Sequence, residues 1–267
     1  MNIAATSGFA PFDEALLARI EDAGINASAP REQRWVDGWL LRLAPGKAKR
    51  ARCIQAVAAG RSGIDDKLAA CLPLFAAAGL RPYVRITPFS QPAGLDRHLA
   101  ALGMERVDDT RVMVVASLAA SAPAAEGKPA DVAIDSADPA RFADWVGRAR
   151  GSSSLERHAH AERISRPAVP HHPVLAKNAQ GDIVAAGLVA IEGSIAGFYD
   201  VITAESERGR GHAEALCRHL LAFAAGRGAT VGYLQVDAAN EGARRIYRRL
   251  GFADAYAYHY RTPADSA

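Results

Sequence analysis

The chain has 267 residues, 49% of them hydrophobic, which is enough for two domains that each bury a core. Its 32 basic and 29 acidic residues give a net charge of only +3, and this balance disfavours a dedicated nucleic-acid-binding protein. Three scattered cysteines without a CxxC pair predict neither a disulfide framework nor a zinc site. The sequence has no secretion-signal pattern and no apolar stretch of eighteen residues, so we expect a cytoplasmic protein without a membrane partner.

The first part of the chain alternates predicted strands and helices. Strands are expected at 37–44, 52–57, 82–87 and 104–115, and helices at 65–79 and in a segment ending at 99–103. A glycine-bearing segment, AAGRSG at 58–63, separates the second strand from the first helix. The stretch 116–130 is rich in Ala, Ser and Pro, which predicts a linker at 119–130 after a first half that covers residues 1–118.

The second half, residues 131–262, repeats this order of elements. Strands are expected at 194–203, 231–236 and 252–261, and helices at 213–223 and 240–250. Gly251 follows the last helix, where a left-handed closing turn is common. Tyr83 and Leu102 are 19 positions apart, and Tyr233 and Leu250 are 17 positions apart. This similar spacing in the two halves indicates a duplication.

The segment ESERGRGHAEAL, residues 205–216, enters a predicted helix through a turn with two glycines. Such a turn aims several backbone N–H groups at one point, at the positive end of the helix dipole, and therefore favours an anion. A nucleoside triphosphate loop needs Gly-Lys-Ser/Thr where this loop has Gly-His-Ala. A dinucleotide fingerprint needs three spaced glycines, and only two are present.

The R-x-x-G-x-A pattern of Arg208, Gly211 and Ala213, followed by a strand and an N…Y…LGF helix, resembles the Gcn5-related N-acetyltransferase (GNAT) family. This resemblance covers about 131–262, and RWVDGWLLRLAPG in the first half is similar to the opening of tandem-domain members. It implies an α/β (α+β) fold class with two tandem acyl-CoA N-acyltransferase folds. Each would have a mixed, mostly antiparallel sheet flanked by helices, with a degenerate domain at 1–118 and a catalytic domain at 131–262.

The resemblance also implies acetyl-CoA as co-substrate and assigns residues to it. The cofactor-binding positions are Val201, Ile202, Thr203, Arg208, Gly209, Arg210, Gly211, His212, Ala213, Asn240 and Tyr247. Val201 and Thr203 would pair with the pantetheine amides through main-chain groups. Tyr247 would donate a proton to the leaving thiolate as general acid, although a tyrosine packed in an apolar helix face is the alternative. Arg208 and Arg210 are either phosphate ligands or solvated surface charges.

The general base is where this chain departs from the family. Gly197 stands where many members carry a glutamate, and glycine cannot accept a proton. Asp200, Glu192 and Glu156 are the candidates, with Asp200 or a water-mediated route preferred. Strict strand alternation would turn Asp200 to the wrong face.

Residues 145–172 lie where the family builds its acceptor pocket. Ser153 and Glu156 have capping-box spacing, which predicts a helix start. The histidines at 158, 160, 171 and 172 match no zinc pattern, so no metal is predicted. In the first half Leu99 aligns with Tyr247, which predicts a half that has lost catalysis and covers or completes the acceptor site.

The sequence therefore predicts an acyltransferase that moves acetyl from acetyl-CoA directly to a primary amine in a ternary complex. The acceptor would be a small-molecule or peptide amine, with neither a nucleic acid nor a membrane as partner. A non-catalytic acyl-CoA-binding regulatory protein is the alternative, favoured by the missing glutamate at Gly197. The identity of the acceptor and the oligomeric state are not predicted.

Overall fold

The computed structural model describes residues 8–118, 131–165 and 168–264, so the predicted linker at 119–130 lies outside the described residues. Its α-helices are α1 (Glu14–Ala27), α2 (Ile64–Ala77), α3 (Leu95–Ala101), α4 (Pro139–Ala149), α5 (Ser154–Ser165), α6 (His212–Gly226) and α7 (Glu241–Arg249). Its strands are β1 (Gln33–Val36), β2 (Trp39–Arg42), β3 (Ile54–Gln55), β4 (Val84–Ile86), β5 (Glu105–Val115), β6 (Ala133–Ser136), β7 (His171–Lys177), β8 (Ile183–Glu192), β9 (Ile195–Thr203), β10 (Val231–Asp237) and β11 (Ala253–Thr262).

The eleven strands of the described part form one continuous sheet in the order β1-β2-β3-β4-β11-β5-β10-β9-β8-β7-β6. Two neighbouring pairs are parallel, β3 with β4 and β9 with β10, and the other pairs are antiparallel. In both parallel pairs the chain crosses from one strand to the next through a helix, α2 or α6. The predicted fold class, a mixed and mostly antiparallel sheet flanked by helices, is confirmed.

The two halves exchange strands at the centre of the sheet. β5 belongs to the first half but lies between β10 and β11, and β11 belongs to the second half but pairs with both β4 and β5. One buried cluster accordingly combines Leu17 and Val114 from the first half with Tyr233 and Tyr256 from the second. Strands of the two halves are therefore hydrogen-bonded to each other. The domain boundaries at 118 and 131 stay predictions.

The first predicted strand, 37–44, is wrong at its start. Asp37 and Gly38 have φ values of 42° and 85° and form the two-residue turn that joins β1 to β2. An Asp-Gly pair favours this turn because both central residues need positive φ. Sequence reasoning also missed α1, whose buried Leu17, Ile20 and Gly24 recur with helical spacing.

Two predicted helix boundaries are confirmed by their local contacts. Glu156 accepts a hydrogen bond from the Ser153 N–H (2.8 Å), and the Ser153 hydroxyl accepts one from the Glu156 N–H (3.2 Å), a complete capping box at the start of α5. α7 ends before Gly251, which has φ of 89°. Within the described residues, no helix combines the length and apolarity needed to cross a bilayer.

Candidate active site

The parallel strands β9 and β10 pair only over their first residues. Pairing runs from Ile195 with Val231 to Phe198 with Leu234, although both strands continue for at least three more residues. The strands therefore separate after Phe198. The gap lies at their carboxyl ends, where α/β sheets commonly bind ligands.

A β-bulge places Asp200 in this gap. Two residues of β9, Asp200 and Val201, stand opposite Gly187 alone on β8, and Asp200 has φ of 51°. The expectation from strict alternation, that Asp200 faces away, is wrong because the bulge adds one residue to β9. Tyr199, Asp200 and Val201 consequently line the same cavity.

Beyond the bulge, one edge of β9 has no neighbouring strand. The Ala204 N–H donates to the Val184 carbonyl of β8 (2.8 Å), so the alternate residue Ile202 also faces β8. Val201 and Thr203 present their N–H and C=O groups to the gap instead. The Thr203 hydroxyl is buried and has no hydrogen-bond partner in the described part of the chain.

The loop before α6 carries a set of unused backbone donors. In the part of the chain that the structure describes, the N–H groups of residues 209–214 donate to no other group, and no side chain caps α6. Gly209 and Gly211 have φ values of 79° and 84°, which an L side chain rarely adopts. A Cβ at either glycine would meet no atom within 4 Å, so the backbone is open to a ligand. These donors suit a diphosphate.

The side chains of this loop differ in what they contact. His212 is buried and lies 3.2 Å from Glu207, so its main-chain N–H is what it offers to the gap. Arg210 contacts Glu207 at 3.1 Å, and the largely exposed Arg208 lies 3.9 Å from Glu205. Both arginines are thus surface charges held only by short-range pairs. Their role as phosphate ligands stays a prediction.

Asn240 and Tyr247 stand on the β10 side of the gap. Asn240 is the N-cap of α7, where its side-chain oxygen accepts the Ala243 N–H at 3.1 Å and its amide NH₂ is left for a ligand. Tyr247 is buried, and burial together with Cys217 raises the pKa of its phenol. The phenol is therefore protonated at neutral pH and can donate a hydrogen bond. Both residues line the cavity described next.

A cavity of about 440 Å³, called here the central cavity, occupies the gap and the space beside it. The second half contributes residues of β9, β10 and α7 together with Arg150. The first half contributes a wall that includes Lys47, Lys49, Arg50 and Asp108. The Lys47 ammonium donates to the carbonyls of Arg150 and Gly151, which fixes this wall against the α4–α5 connection.

Asp200 is a weak proton acceptor in this arrangement. Its carboxylate lies 2.6 Å from Arg150 and 3.1 Å from His160. Burial acts to raise the pKa of Asp200, but Arg150, His160 and Arg163 outweigh it and hold that pKa well below its usual range. The role of Asp200 as general base stays a prediction that this geometry disfavours.

The other two base candidates do not line the central cavity. Glu156 is engaged in the capping box of α5, and Glu192 accepts hydrogen bonds from the Asn26 amide (2.9 Å). Gly197 is required by its neighbours, because a Cβ there would lie 2.5 Å from the Tyr233 hydroxyl and 2.7 Å from the Tyr199 hydroxyl. A side chain at the family's glutamate position would displace this tyrosine pair.

Sequence reasoning missed the tyrosine pair and the basic wall of the first half. The hydroxyls of Tyr199 and Tyr233 are hydrogen-bonded to each other, and burial raises the pKa of Tyr199 to about 12. Tyr233 is opposite Gly197 in the register of β9 and β10. A tyrosine opposite a glycine on paired strands could have indicated this arrangement. Recognising it requires the register of the two strands, which the sequence does not supply. Arg50 gives no local signal at all.

Comparison with known proteins shows the family to which the chain belongs. Residues 15–261 match the family described as "Probable histone acetyltransferase Rv0428c C-terminal". The chain belongs to this acetyltransferase family. It is accordingly an acyltransferase of the GNAT type.

Relatives and solved structures resemble this acetyltransferase over most of their length. The protein named "Uncharacterized N-acetyltransferase YobR" from Bacillus subtilis (strain 168) is 28% identical over 238 residues, which cover 86% of this chain and 91% of YobR. A solved GCN5-related N-acetyltransferase from Kribbella flavida superposes with a TM-score of 0.64 at 20% identity, covering 92% of this chain and 95% of its own. A tandem GNAT protein from the clavulanic acid biosynthesis pathway gives a TM-score of 0.56 at 14% identity, covering 76% and 70% of the two chains.

Proposed function

We propose that this acetyltransferase transfers acetyl from acetyl-CoA directly to a primary amine, with both substrates bound together in the gap between β9 and β10. The observation that carries the proposal is the set of unused N–H donors at residues 209–214, next to the open edge of β9. The donors suit the diphosphate of coenzyme A, and the edge suits the amides of its pantetheine arm. Acetyl-CoA supplies the acyl group when bound.

Each predicted cofactor-binding position has a role in this proposal. Main-chain donors of Gly209, Arg210, Gly211, His212 and Ala213 bind the diphosphate, and Arg208 adds charge from the loop. Val201 and Thr203 extend the sheet by pairing with the pantetheine amides, while Ile202 holds β9 to β8.

The chemistry requires a neutral amine and a protonated leaving group. A lysine-like ammonium has an unperturbed pKa of about 10.4, so it must lose a proton before its nitrogen attacks the thioester carbon. The C–S bond then breaks, and the thiolate takes a proton. Tyr247 is the donor in this proposal, because its phenol is protonated and, like Asn240, lines the central cavity.

Water that leads from the central cavity to solvent is the proposed route for the proton of the amine. The phenol of Tyr199 has a raised pKa and the carboxylate of Asp200 has a lowered one, so neither is matched to accept a proton near neutral pH. The cavity is open and polar enough to hold such water.

A thiol-release assay with acetyl-CoA across a panel of amines tests the proposal. Tyr247→Phe is expected to lower kcat about 10²- to 10⁴-fold and to change the Kd for acetyl-CoA less than threefold. Tyr83→Phe, which removes a phenol from outside the central cavity, serves as control and is expected to retain full activity. Binding of acetyl-CoA without thiol release from any amine would instead identify the acyl-CoA-binding regulator.

We also propose the cytoplasm as the location. Its support is that Cys53, Cys71 and Cys217 are all buried free thiols, as expected for a protein that folds under reducing conditions. No group of three or more metal-ligating side chains is found in residues 8–118, 131–165 and 168–264, and a metal-free reaction stays an expectation.

A further inference from the structure

The wall that the first half gives to the central cavity carries an arginine without an acidic partner. The Arg50 guanidinium donates to the side-chain oxygen of Gln235 and to the Tyr258 hydroxyl (3.3 Å), and it lies 5.5 Å from the centre of the Tyr199 ring. Its Nε is buried and has no acceptor among the described residues. These contacts fix the guanidinium in place but leave its charge unbalanced.

A second arginine without an acidic partner among the described residues, Arg163 of α5, does not line the central cavity. In the described part of the chain, Arg163 makes no ion pair with a carboxylate and no side-chain hydrogen bond, although it is partly buried. Burial lowers the pKa of Arg163, Asp200 raises it, and Arg50 and Arg150 lower it again.

The central cavity is lined by four basic and three acidic side chains, and two of the acidic ones are paired with basic groups. Asp200 is shared by Arg150 (2.6 Å) and His160 (3.1 Å), and Asp108 is 2.6 Å from Lys49. The third, Asp237 at the end of β10, accepts the Ala239 N–H at 2.8 Å. Uncompensated positive charge in a partly buried cavity is costly, and a bound anion removes that cost.

From this arrangement we infer that the acceptor of the proposed acetyl transfer is a small amine that carries a carboxylate, and that Arg50 binds the carboxylate. The inference rests on the proposed function for the position of the amine, which must reach the gap between β9 and β10. Arg50 and that gap border the same 440 Å³ cavity, so the amine and its carboxylate belong to one compact molecule. Guanidinium groups suit this carboxylate because they donate two parallel hydrogen bonds.

The same charges disfavour a basic peptide as acceptor. A lysine within a basic protein tail would bring further positive charge next to Lys47, Lys49 and Arg50, which line the entrance wall from the first half. Like charges brought together in this way weaken binding and slow association. A histone-like tail is therefore excluded as the acceptor.

Matched acceptors test the inference. Glycine, β-alanine, 4-aminobutyrate, L-phenylalanine and L-glutamate are each compared with the corresponding α- or ω-carboxamide, and a lysine-rich peptide is included. We expect at least one amino acid to exceed its amide about 100-fold in kcat/KM, and to bind correspondingly more tightly to the protein saturated with coenzyme A. Arg50→Gln should remove most of this preference through KM.

Controls separate the inference from the proposed function. Arg148→Gln, which removes an exposed arginine that pairs with Asp144 on α4, should leave the preference intact. Arg50→Lys should keep part of it, since the charge is retained without the forked geometry. Equal use of acids and amides, a preference for the lysine-rich peptide, or no difference in binding within any pair would overturn the inference while acetyl-CoA binding stands. Loss of acetyl-CoA binding itself would instead overturn the proposed function.

Discussion

Two glycine-bearing loops occupy corresponding places in the two halves, at 58–63 before α2 and at 208–213 before α6. Each follows the first strand of a parallel pair and leads into the crossover helix. In the first-half loop the Asp37 carboxylate accepts the N–H groups of Arg61 (3.0 Å) and Ser62 (2.8 Å). These hydrogen bonds lower the pKa of Asp37 to about 2. In the second-half loop no described side chain takes that place.

The first-half loop is thus filled by an anion of its own chain, whereas the second-half loop is open. Buried Lys67 completes the internal arrangement by donating to the carbonyls of Asp37 and Ala59, 3.5 Å from the Asp37 carboxylate. A turn that binds an anion through backbone N–H groups can therefore serve either of two purposes. Filled internally, it stabilises the fold, and left open, it binds a ligand.

The largest expected effect is on acetyl-CoA affinity, and it should differ between the two loops when each receives the same substitution. Gly211→Asp places a carboxylate at the open turn, and aspartate tolerates the φ of 84° there better than most residues. Repulsion and the loss of about two charge-assisted hydrogen bonds should weaken acetyl-CoA binding at least about 10³-fold, or roughly 4 kcal/mol. Isothermal titration calorimetry measures the change.

Two variants make this first test specific. Gly211→Asn has the same size without the charge, and its loss of affinity should be at least tenfold smaller. Gly63→Asp makes the corresponding change before α2, where the nearest atom to the new Cβ is 3.6 Å away, and should leave the affinity unchanged. Equal losses for Gly211→Asp and Gly63→Asp would mean that the two loops do not differ as described.

The next effect concerns stability in the first half. Lys67→Met leaves the carbonyls of Asp37 and Ala59 without a donor and should lower the free energy of unfolding by about 2 to 3 kcal/mol. Urea denaturation measures this loss. Lys177→Met removes a surface pair with Asp135 and should cost less than about 0.5 kcal/mol. A folded Lys67→Met protein that has lost acetyl-CoA affinity would contradict the separate roles of the loops.

What the sequence predicts well in this comparison is local. Gly251 at the left-handed turn after α7, and the two glycines of the turn before α6, act within a few residues of their own position. The same holds for the capping box of α5. Such features are set by backbone sterics and short-range hydrogen bonds, which is why the loop, α6 and α7 could be predicted from residue types alone.

What the sequence does not predict depends on distant contacts. The pairing of β11 with β4 and β5 joins residues far apart in the chain, and no local pattern specifies it. The bulge at Asp200 breaks the alternation on which its facing was predicted. The sequence pattern predicts a strand that includes Asp37, whereas the Asp37 carboxylate accepts the N–H of Ser62 in a different loop. These features are fixed by tertiary packing rather than by local propensity.

The smallest expected effect comes from a substitution that opens the first-half loop to an external anion, as the second-half loop is open. Asp37→Ala empties the turn, so that inorganic phosphate can bind the freed N–H groups of Arg61 and Ser62. A site with a Kd near 20 mM would gain about 1 kcal/mol of stability in 100 mM phosphate. Phosphate also stabilises proteins by exclusion from their surface, so the gain is measured against Asp65→Ala, which removes an exposed carboxylate of α2 that pairs with His98. A gain in thermal unfolding temperature that is the same in both variants would show that Asp37 does not occupy an anion site, and the contrast between the two loops would then have to rest on the second half alone.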